Sequence, residues 1–220
     1  MTIAERWRRW RQADGPGPSD RPVFGVLALP DPRWTAADLR FEAELKRRLG
    51  PRYLGFTGKG YANRFGGGFV PRPASRTPTT YVLHHTAGNQ AWTGADVWRF
   101  HVQSRGWDAA GYHVLISPDG RAELLIPPSM MSYGAGAANP WTIHVSCHGN
   151  YVATAPHPAM LATVYQVFLA LDACYGDHQW RGHRELPGAA TACPGRLLPE
   201  LVRMRGTEYG AAVPPRAAYP

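Results

Sequence analysis

The chain contains little cysteine, with three residues in 220. An odd number of thiols cannot all pair within one chain, which argues against the disulfide framework of a small secreted protein. Cys147 and Cys174 fall within apolar patterns, and we predict that both pack as small buried hydrophobic residues. Cys193 differs, because it lies in the loop-like stretch GHRELPGAATACPG and is followed by a proline. Core packing does not explain a cysteine in that position.

Long hydrophobic runs are absent as well. No segment approaches the ~20 consecutive apolar residues of a membrane span. The first residues, MTIAERWRRWRQADGP, lack the apolar centre of a secretory signal peptide. We therefore expect a protein that is made in the cytosol, with no signal peptide and no transmembrane segment.

Acidic residues are scarce in the first part of the chain. Residues 1–80 hold 15 of the 24 basic residues but 7 of the 16 acidic ones, whereas residues 81–220 are neutral overall. All of the basic residues except Lys46 and Lys59 are arginines, which bind phosphates and carboxylates through a charged fork. This segment predicts anionic polymers or a membrane surface as partners, and a merely solvated surface is an equal alternative.

The pattern before residue 80 predicts a basic N-terminal extension, 1–75, with some regular structure. Thr35 and Gly50 are suited to cap a helix at its two ends, with Asp38 in the first turn. The predicted elements are a helix at 4–12, a strand at 23–29, a helix at 35–50 and an irregular, glycine- and proline-rich arm at 55–80.

After residue 80 the apolar spacing predicts a sheet covered by helices. The predicted strands are 80–86, a hairpin over 111–126, 141–149 and 178–185, and the predicted helices are 93–106, 157–176 and 196–204. The mixture of strands and helices leaves the classes α/β and α+β open, and we predict α/β, with a central β-sheet flanked by helices. Residues 209–220 are predicted to form a C-terminal tail.

Two histidines and Cys193 form a candidate metal-binding set. His84 and His85 are adjacent on one predicted strand, so only one of them can face a given site. His183 lies at the end of the last predicted strand, and Cys193 lies in the next loop. Two imidazoles and one thiolate match the three protein ligands of a catalytic zinc site. The spacing is loose, and the residues alone leave metal binding and ordinary packing both open.

Four motifs, in the right order and at suitable spacing, resemble those of one enzyme family. The sequence is similar to the zinc-dependent N-acetylmuramoyl-L-alanine amidases, which include phage lysozyme-type amidases and animal peptidoglycan recognition proteins. The resemblance covers residues from about 80 to 205, and its motifs are YVLHHTAG, RGWDAAGYHVLISPDG, NPWTIHVSCHGNY and GHRELPGAATACPG. It implies a mixed sheet of the amidase type, peptidoglycan as the substrate and one zinc ion as the cofactor.

The resemblance also implies roles for individual residues. His84, His183 and Cys193 are the implied zinc ligands, and Tyr112 and Thr191 are the implied catalytic residues. The expected reaction is hydrolysis of the amide between N-acetylmuramic acid and L-alanine by a zinc-activated water. The hydroxyl of Tyr112 is expected to stabilise the developing oxyanion.

Substrate contacts are less well marked by the motifs. Trp107, Asn139 and Trp141 are the candidates, with core packing an equal alternative for the tryptophans. Three positions depart from the family pattern: Gly134 stands where many members have a histidine, and His144 and His148 stand where they usually have small or apolar residues. We leave the contacts near Gly134 unassigned and predict that His144 has no role in the site.

These observations predict a peptidoglycan hydrolase that acts as a phage endolysin. It would wait in the host bacterial cytoplasm until its release to the cell wall. Residues 76–208 would form the zinc amidase domain, and the extension would bind the wall, anionic envelope polymers or the membrane. The alternatives are a non-catalytic peptidoglycan-binding recognition protein and a cytosolic amidase that recycles muropeptides. No finger or helix-turn-helix motif supports a nucleic-acid partner.

Overall fold

The computed structural model describes residues 34–58, 69–73 and 75–208. All of them fall in one compact unit, Asp31–Pro220. The predicted helix at 4–12, strand at 23–29 and tail at 209–220 lie outside the described residues.

A mixed β-sheet forms the centre of the fold. In chain order the strands are β1 (Tyr53–Phe56), β2 (Val70–Pro71), β3 (Thr80–His85), β4 (Val114–Ile116), β5 (Ala122–Leu124), β6 (Met130–Met131), β7 (Thr142–Cys147) and β8 (Gln179–Gly182). Six of them pair in the order β1-β5-β4-β7-β3-β8, while β2 and β6 form a separate antiparallel pair. Strands β4, β7, β3 and β8 run parallel to one another, and β5 pairs antiparallel with β4. The predicted mixed sheet is confirmed.

Within the described residues, four α-helices flank this sheet. They are α1 (Ala36–Leu49), α2 (Gly94–Trp98), α3 (Pro158–Tyr175) and α4 (Leu197–Glu208), and α2 continues as a π-helix over Arg99–Ser104. Thr35 and Asp38 close a capping box at the start of α1, and Thr93 and Asp96 do the same for α2. Each box satisfies backbone N–H groups that a helix start leaves unpaired. The helices predicted at these positions are confirmed.

The main core lies between one face of the sheet and helices α1, α3 and α4. Tyr81, Leu83, Ile143 and Val145 point into it from β3 and β7. Helix α3 has the length and mean hydropathy of a membrane-crossing helix, 18 residues at 1.2, but its side chains include Phe168, fully buried in this core. Core helices of folded domains meet the same criteria, so α3 is explained by packing. Cys147 and Cys174 are buried in the same core, as predicted.

The described part of the predicted extension shares this core with the rest of the chain. Phe41 and Leu45 of α1 are fully buried there, and β1 extends the sheet by pairing with β5. Tyr175 of α3 donates a 2.6 Å hydrogen bond to Asp38. Residues 55–80 are thus not irregular throughout, because they include the end of β1 and all of β2. These strands are too short to show a sequence period of their own.

The opposite face of the sheet is polar near the centre. Side chains alternate along a strand, so Thr142, His144 and Ser146 of β7 lie on the face away from Ile143 and Val145. His84 of β3 lies beside Ser146 in the parallel register. Fully buried polar side chains of this kind need partners, and they define the candidate site.

Candidate active site

The two histidines of the predicted set meet at the carboxyl ends of neighbouring strands. His84 is the penultimate residue of β3, and His183 directly follows β8. The two strands are parallel and pair Leu83 with Gly182, so the residues that follow, His84 and His183, lie side by side. Their ring centroids are 4.6 Å apart. Ligands collect at such strand ends in open α/β sheets.

A loop between β8 and α4 brings Cys193 to the same point. The Sγ atom accepts a 3.3 Å hydrogen bond from the backbone N–H of His85, and the carbonyl of Cys193 accepts one of 2.9 Å from Arg184. Gly195 allows the loop to close, because a Cβ there would lie 2.2 Å from the carbonyl oxygen of Tyr151. The cysteine is therefore fixed by backbone contacts and not by core packing.

The donor atoms of His84, His183 and Cys193 fit a zinc ion. They all lie within 4.8 Å of one another. The Sγ atom of Cys193 is 3.7 Å from Nδ1 of His84. Tetrahedral zinc with ordinary Zn–N and Zn–S bond lengths requires about 3.6 Å between two such atoms. Three ligands of this kind leave a fourth position open for water or substrate.

Burial sets the charge state of these three side chains. It lowers the pKa of His84 well below its usual range, with a further contribution from His183, and it lowers the pKa of His183 as well. Both imidazoles are therefore neutral and keep a lone pair for a metal. Burial also raises the pKa of the Cys193 thiol to about 12, so metal binding has to displace its proton.

Tyr112 lies beside this set. Its ring centroid is 5.4 Å from that of His84, and burial near Cys193 raises its pKa, so the hydroxyl stays protonated. His101 packs edge-on against Tyr112 at 5.2 Å and accepts a 3.1 Å hydrogen bond from the backbone N–H of Gly111. His101 thus supports the segment that carries Tyr112.

Thr191 lies two residues before Cys193. Its hydroxyl accepts a 3.1 Å hydrogen bond from the backbone N–H of Cys193. This contact gives Thr191 a part in shaping the cysteine loop. Its predicted catalytic role stays a prediction.

The three candidate substrate residues lie in different surroundings. Trp107 stacks on His101 with ring centroids 4.5 Å apart. The Asn139 side chain is buried and accepts a 2.7 Å hydrogen bond from the backbone N–H of Ala135, which makes it a local cap. Trp141 packs with a small buried cluster that includes Val82. Their predicted substrate contacts stay predictions.

Sequence reasoning missed two residues close to the site. His144 was predicted to have no role, yet its Nδ1 atom is 2.9 Å from Nε2 of His84. The alternation of Thr142, His144 and Ser146 on one strand was the available signal. Arg72 lies in the segment predicted to be an irregular arm, but its guanidinium donates a 2.8 Å hydrogen bond to the carbonyl of Thr142.

A family model and curated relatives cover the part of the chain that holds this site. The family model described as N-acetylmuramoyl-L-alanine amidase, Amidase_2, matches residues 74–196, more than half of the chain. Peptidoglycan-recognition protein SC1a of Drosophila melanogaster is 31% identical over 132 residues, which cover 56% of this chain and 70% of that protein. Peptidoglycan recognition protein 1 of Bos taurus is 32% identical over 141 residues, covering 58% and 73%.

Solved structures show the same fold. The Ph2119 endolysin from a Thermus scotoductus bacteriophage has a TM-score of 0.54 and 27% identity, covering 60% of this chain and 86% of the endolysin. The endolysin amidase LysCS from Clostridium intestinale has a TM-score of 0.59 and 21% identity, covering 74% and 97%.

Proposed function

Because the chain belongs to the N-acetylmuramoyl-L-alanine amidase family, we propose that it hydrolyses the amide between N-acetylmuramic acid and L-alanine in peptidoglycan. The observation that carries this proposal is the convergence of His84, His183 and Cys193, with donor atoms within 4.8 Å, beside the hydroxyl-bearing Tyr112. A binding module has no need for two neutral imidazoles and a cysteine that converge as a set of metal ligands.

The proposed roles follow from the charge states of the side chains. The neutral imidazoles of His84 and His183 and the thiolate of Cys193 would hold the zinc ion. A zinc ion bound there would supply Lewis acidity and lower the pKa of water toward ~7. The protonated hydroxyl of Tyr112 would donate a hydrogen bond to the oxygen of the scissile carbonyl as negative charge develops on it. Thr191 would keep the backbone of Cys193 in place.

The direct test is product analysis on purified peptidoglycan. We would compare the wild type with Cys193→Ser and Cys174→Ser, because both cysteines are buried and only Cys193 belongs to the metal-binding set. Mass spectrometry of wild-type products should show stem peptides with free L-alanine amino groups and intact muramic acid. Cys193→Ser should lose this release and Cys174→Ser should keep it.

A different cleaved bond, or full activity of Cys193→Ser, would contradict the proposal. The relatives named peptidoglycan-recognition proteins support a second candidate, binding to peptidoglycan without cleavage. Wall binding by the wild type with no product and no bound zinc would favour that candidate. Zinc content of the purified chain should be measured alongside.

We further propose a lytic role as an endolysin, supported by the 27% identity to the Ph2119 endolysin. The protein would then act on the wall from the host cytoplasm once the inner membrane is breached. Expression with and without a membrane-permeabilising agent tests this role. Lysis should follow permeabilisation, and its absence while the purified protein cleaves peptidoglycan would contradict a lytic role.

The basic N-terminal residues are proposed to bind anionic envelope polymers or a membrane surface. A test must leave α1 and β1 in place, because Phe41 and Leu45 are part of the core. A chain lacking residues 1–30 satisfies this condition. It should clear whole cells more slowly than the full chain and cleave purified peptidoglycan at the same rate. Equal loss on both substrates would contradict a role in envelope binding.

A further inference from the structure

A buried chain of polar groups runs from the backbone to the metal-binding His84. The hydroxyl of Thr142 donates a 2.7 Å hydrogen bond to the carbonyl oxygen of Ala138 and lies 2.8 Å from Nε2 of His144. Nδ1 of His144 lies 2.9 Å from Nε2 of His84. The side chains of Thr142 and His144 are fully buried and that of His84 is 1% exposed, so water does not offer an alternative partner.

The hydrogen bond from Thr142 to Ala138 determines which atom is the donor in each of the other hydrogen bonds of this series. A carbonyl oxygen can only accept, so the single hydroxyl proton of Thr142 points to Ala138. The hydroxyl oxygen must then accept from His144, which places the proton of that neutral imidazole on Nε2. The bare Nδ1 of His144 is therefore an acceptor, and His84 donates to it from Nε2.

This direction leaves Nδ1 of His84 without a proton. That atom is the one that lies 3.7 Å from Sγ of Cys193, on the side where the donor atoms converge. A histidine ligates a metal through the nitrogen that carries no proton, and the hydrogen bond of the other nitrogen selects the tautomer. The opposite tautomer of His84 would place a proton on the ligand atom.

The ring of His144 is itself held in place on several sides. Its backbone N–H donates a 2.8 Å hydrogen bond to Nδ1 of His113, and the two rings stack with centroids 5.8 Å apart. A Cβ on Gly134 would lie 2.9 Å from ring atoms of His144 and 2.5 Å from the carbonyl oxygen of Gly111. The absence of a side chain at Gly134 is what makes room for this imidazole.

We propose that His144 is a positioning residue for the metal centre: its Nδ1 atom accepts a hydrogen bond from the Nε2–H group of His84 and so directs Nδ1 of His84 to the metal. The inference rests on the metal site proposed above. It concerns Thr142 and His144 of this chain, neither of which belongs to the ligand set.

The first measurement uses the metal-free full chain. Long-range proton–nitrogen correlation of the ¹⁵N-labelled protein reads the tautomer of each imidazole. His84 should carry its proton on Nε2 and His144 likewise on Nε2. A proton on Nδ1 of His84 would overturn the inference, whatever the protein does with zinc or peptidoglycan.

The second measurement is the dissociation constant for Zn²⁺, obtained by competition with a chelator. His144→Phe keeps the ring and removes the acceptor, and its Zn²⁺ affinity should fall by about 10–100-fold, as for other partners of metal ligands. His144→Asn carries a carbonyl oxygen at the position of Nδ1 and should recover most of the affinity. Affinity of His144→Phe equal to that of the wild type would overturn the inference.

Thr142→Val and Thr163→Val form a matched pair that also guards against loss of folding in His144→Phe. Both threonines are fully buried and donate a 2.7 Å hydrogen bond to a backbone carbonyl, but Thr163 lies on α3 away from the site. Thr142→Val should weaken Zn²⁺ binding and Thr163→Val should not, and equal effects would overturn the inference. If the wild type binds no Zn²⁺, the proposed metal centre fails, while the tautomer measurement still decides the hydrogen-bond direction.

Discussion

Tyr112 combines a position beside the metal ligands with a hydroxyl that keeps its proton. Its ring lies 5.4 Å from that of His84, and burial raises its pKa. These two facts suit it to donate to an oxygen that gains negative charge during the reaction. A group that acts only at that stage should affect turnover and leave metal binding unchanged.

We therefore expect Tyr112→Phe to lower kcat for peptidoglycan cleavage by about 10²–10³-fold, the usual cost of removing one oxyanion donor. Its Zn²⁺ affinity should equal that of the wild type. Tyr133→Phe is the control, because the hydroxyl of Tyr133 donates to Asp108 outside the ligand set. A parallel loss of zinc from Tyr112→Phe would assign Tyr112 to the metal site instead.

Thr191 could act in two ways, by holding the backbone of Cys193 or by contacting the substrate, and a substitution distinguishes them. If its hydroxyl mainly holds the N–H of Cys193, Thr191→Val should weaken Zn²⁺ binding and reduce activity in proportion. If it contacts the substrate, activity should fall at saturating Zn²⁺ with the metal affinity unchanged. We expect the first result, measured by zinc titration and by activity at increasing Zn²⁺, with Thr191→Ser restoring both.

The motifs predicted the metal ligands and could not predict what supports them. His84, His183 and Cys193 each stand in a recognisable motif. In the sequence, Gly134 and His144 are separate departures from the family pattern, and the structure places them in contact. Ten residues apart in sequence, they meet only because the chain turns into β7, and the distance between them depends on tertiary structure.

Among the elements, the short β2 segment matters through one arginine. Arg72 is partly buried, and this burial lowers the pKa of its guanidinium to about 10. Its guanidinium donates hydrogen bonds of 2.8–3.2 Å to the carbonyl oxygens of Pro128, Asn139, Pro140 and Thr142. The fork joins β2 to the segment that leads into β7.

Arg72→Met should therefore destabilise the fold by roughly 2–4 kcal/mol, since it leaves several buried carbonyls without a donor. Arg72→Lys should recover little, because one ammonium cannot reach carbonyls spread over four residues. The measurement is urea unfolding, with Arg76→Met as the control at an exposed position. A change below about 0.5 kcal/mol in Arg72→Met would show that these contacts do not stabilise the fold.

At this scale the helices were predictable and the small strands were not. Helix α1 carried its own signals in Thr35, Asp38 and Gly50, and the structure shows the capping box that they predict. Strand β1 has four residues and β2 has two, and their structure depends on partners in β5 and β6. Local sequence does not contain that pairing.

For the whole molecule, the buried histidines predict how stability depends on pH. Burial and, to a smaller extent, the positive charge of Arg105 lower the pKa of His101 to about 4. Burial and the positive charge of Arg72 lower the pKa of His113 to about 3. The unfolded chain binds protons at these positions below a pH of about 6.5, and the folded chain does not. The contribution of these two side chains to the free energy of unfolding should thus be constant above that pH and fall as the pH drops toward 4.

We expect a loss on the order of 3 kcal/mol between pH 7 and pH 5 from these two side chains. Urea unfolding at each pH, with a chelator present so that metal binding does not vary, measures it. His101→Gln should show a smaller loss and the exposed His157→Gln the full loss. A stability that does not change between pH 7 and pH 5 would contradict the prediction.

The packing of α1 against α3 has a consequence for synthesis of the chain on the ribosome. The ring of Phe41 packs edge-on against Tyr175, and Arg48 donates a hydrogen bond to Gln166. Both partners are translated more than 100 residues after α1. At a translation rate of about 5–20 residues per second, the apolar side of α1 is made roughly 6–25 s before the residues of α3 that bury it. During that interval the nascent chain offers Phe41 and Leu45 to chaperones or to neighbouring nascent chains, so the yield of folded protein depends on what meets that surface first.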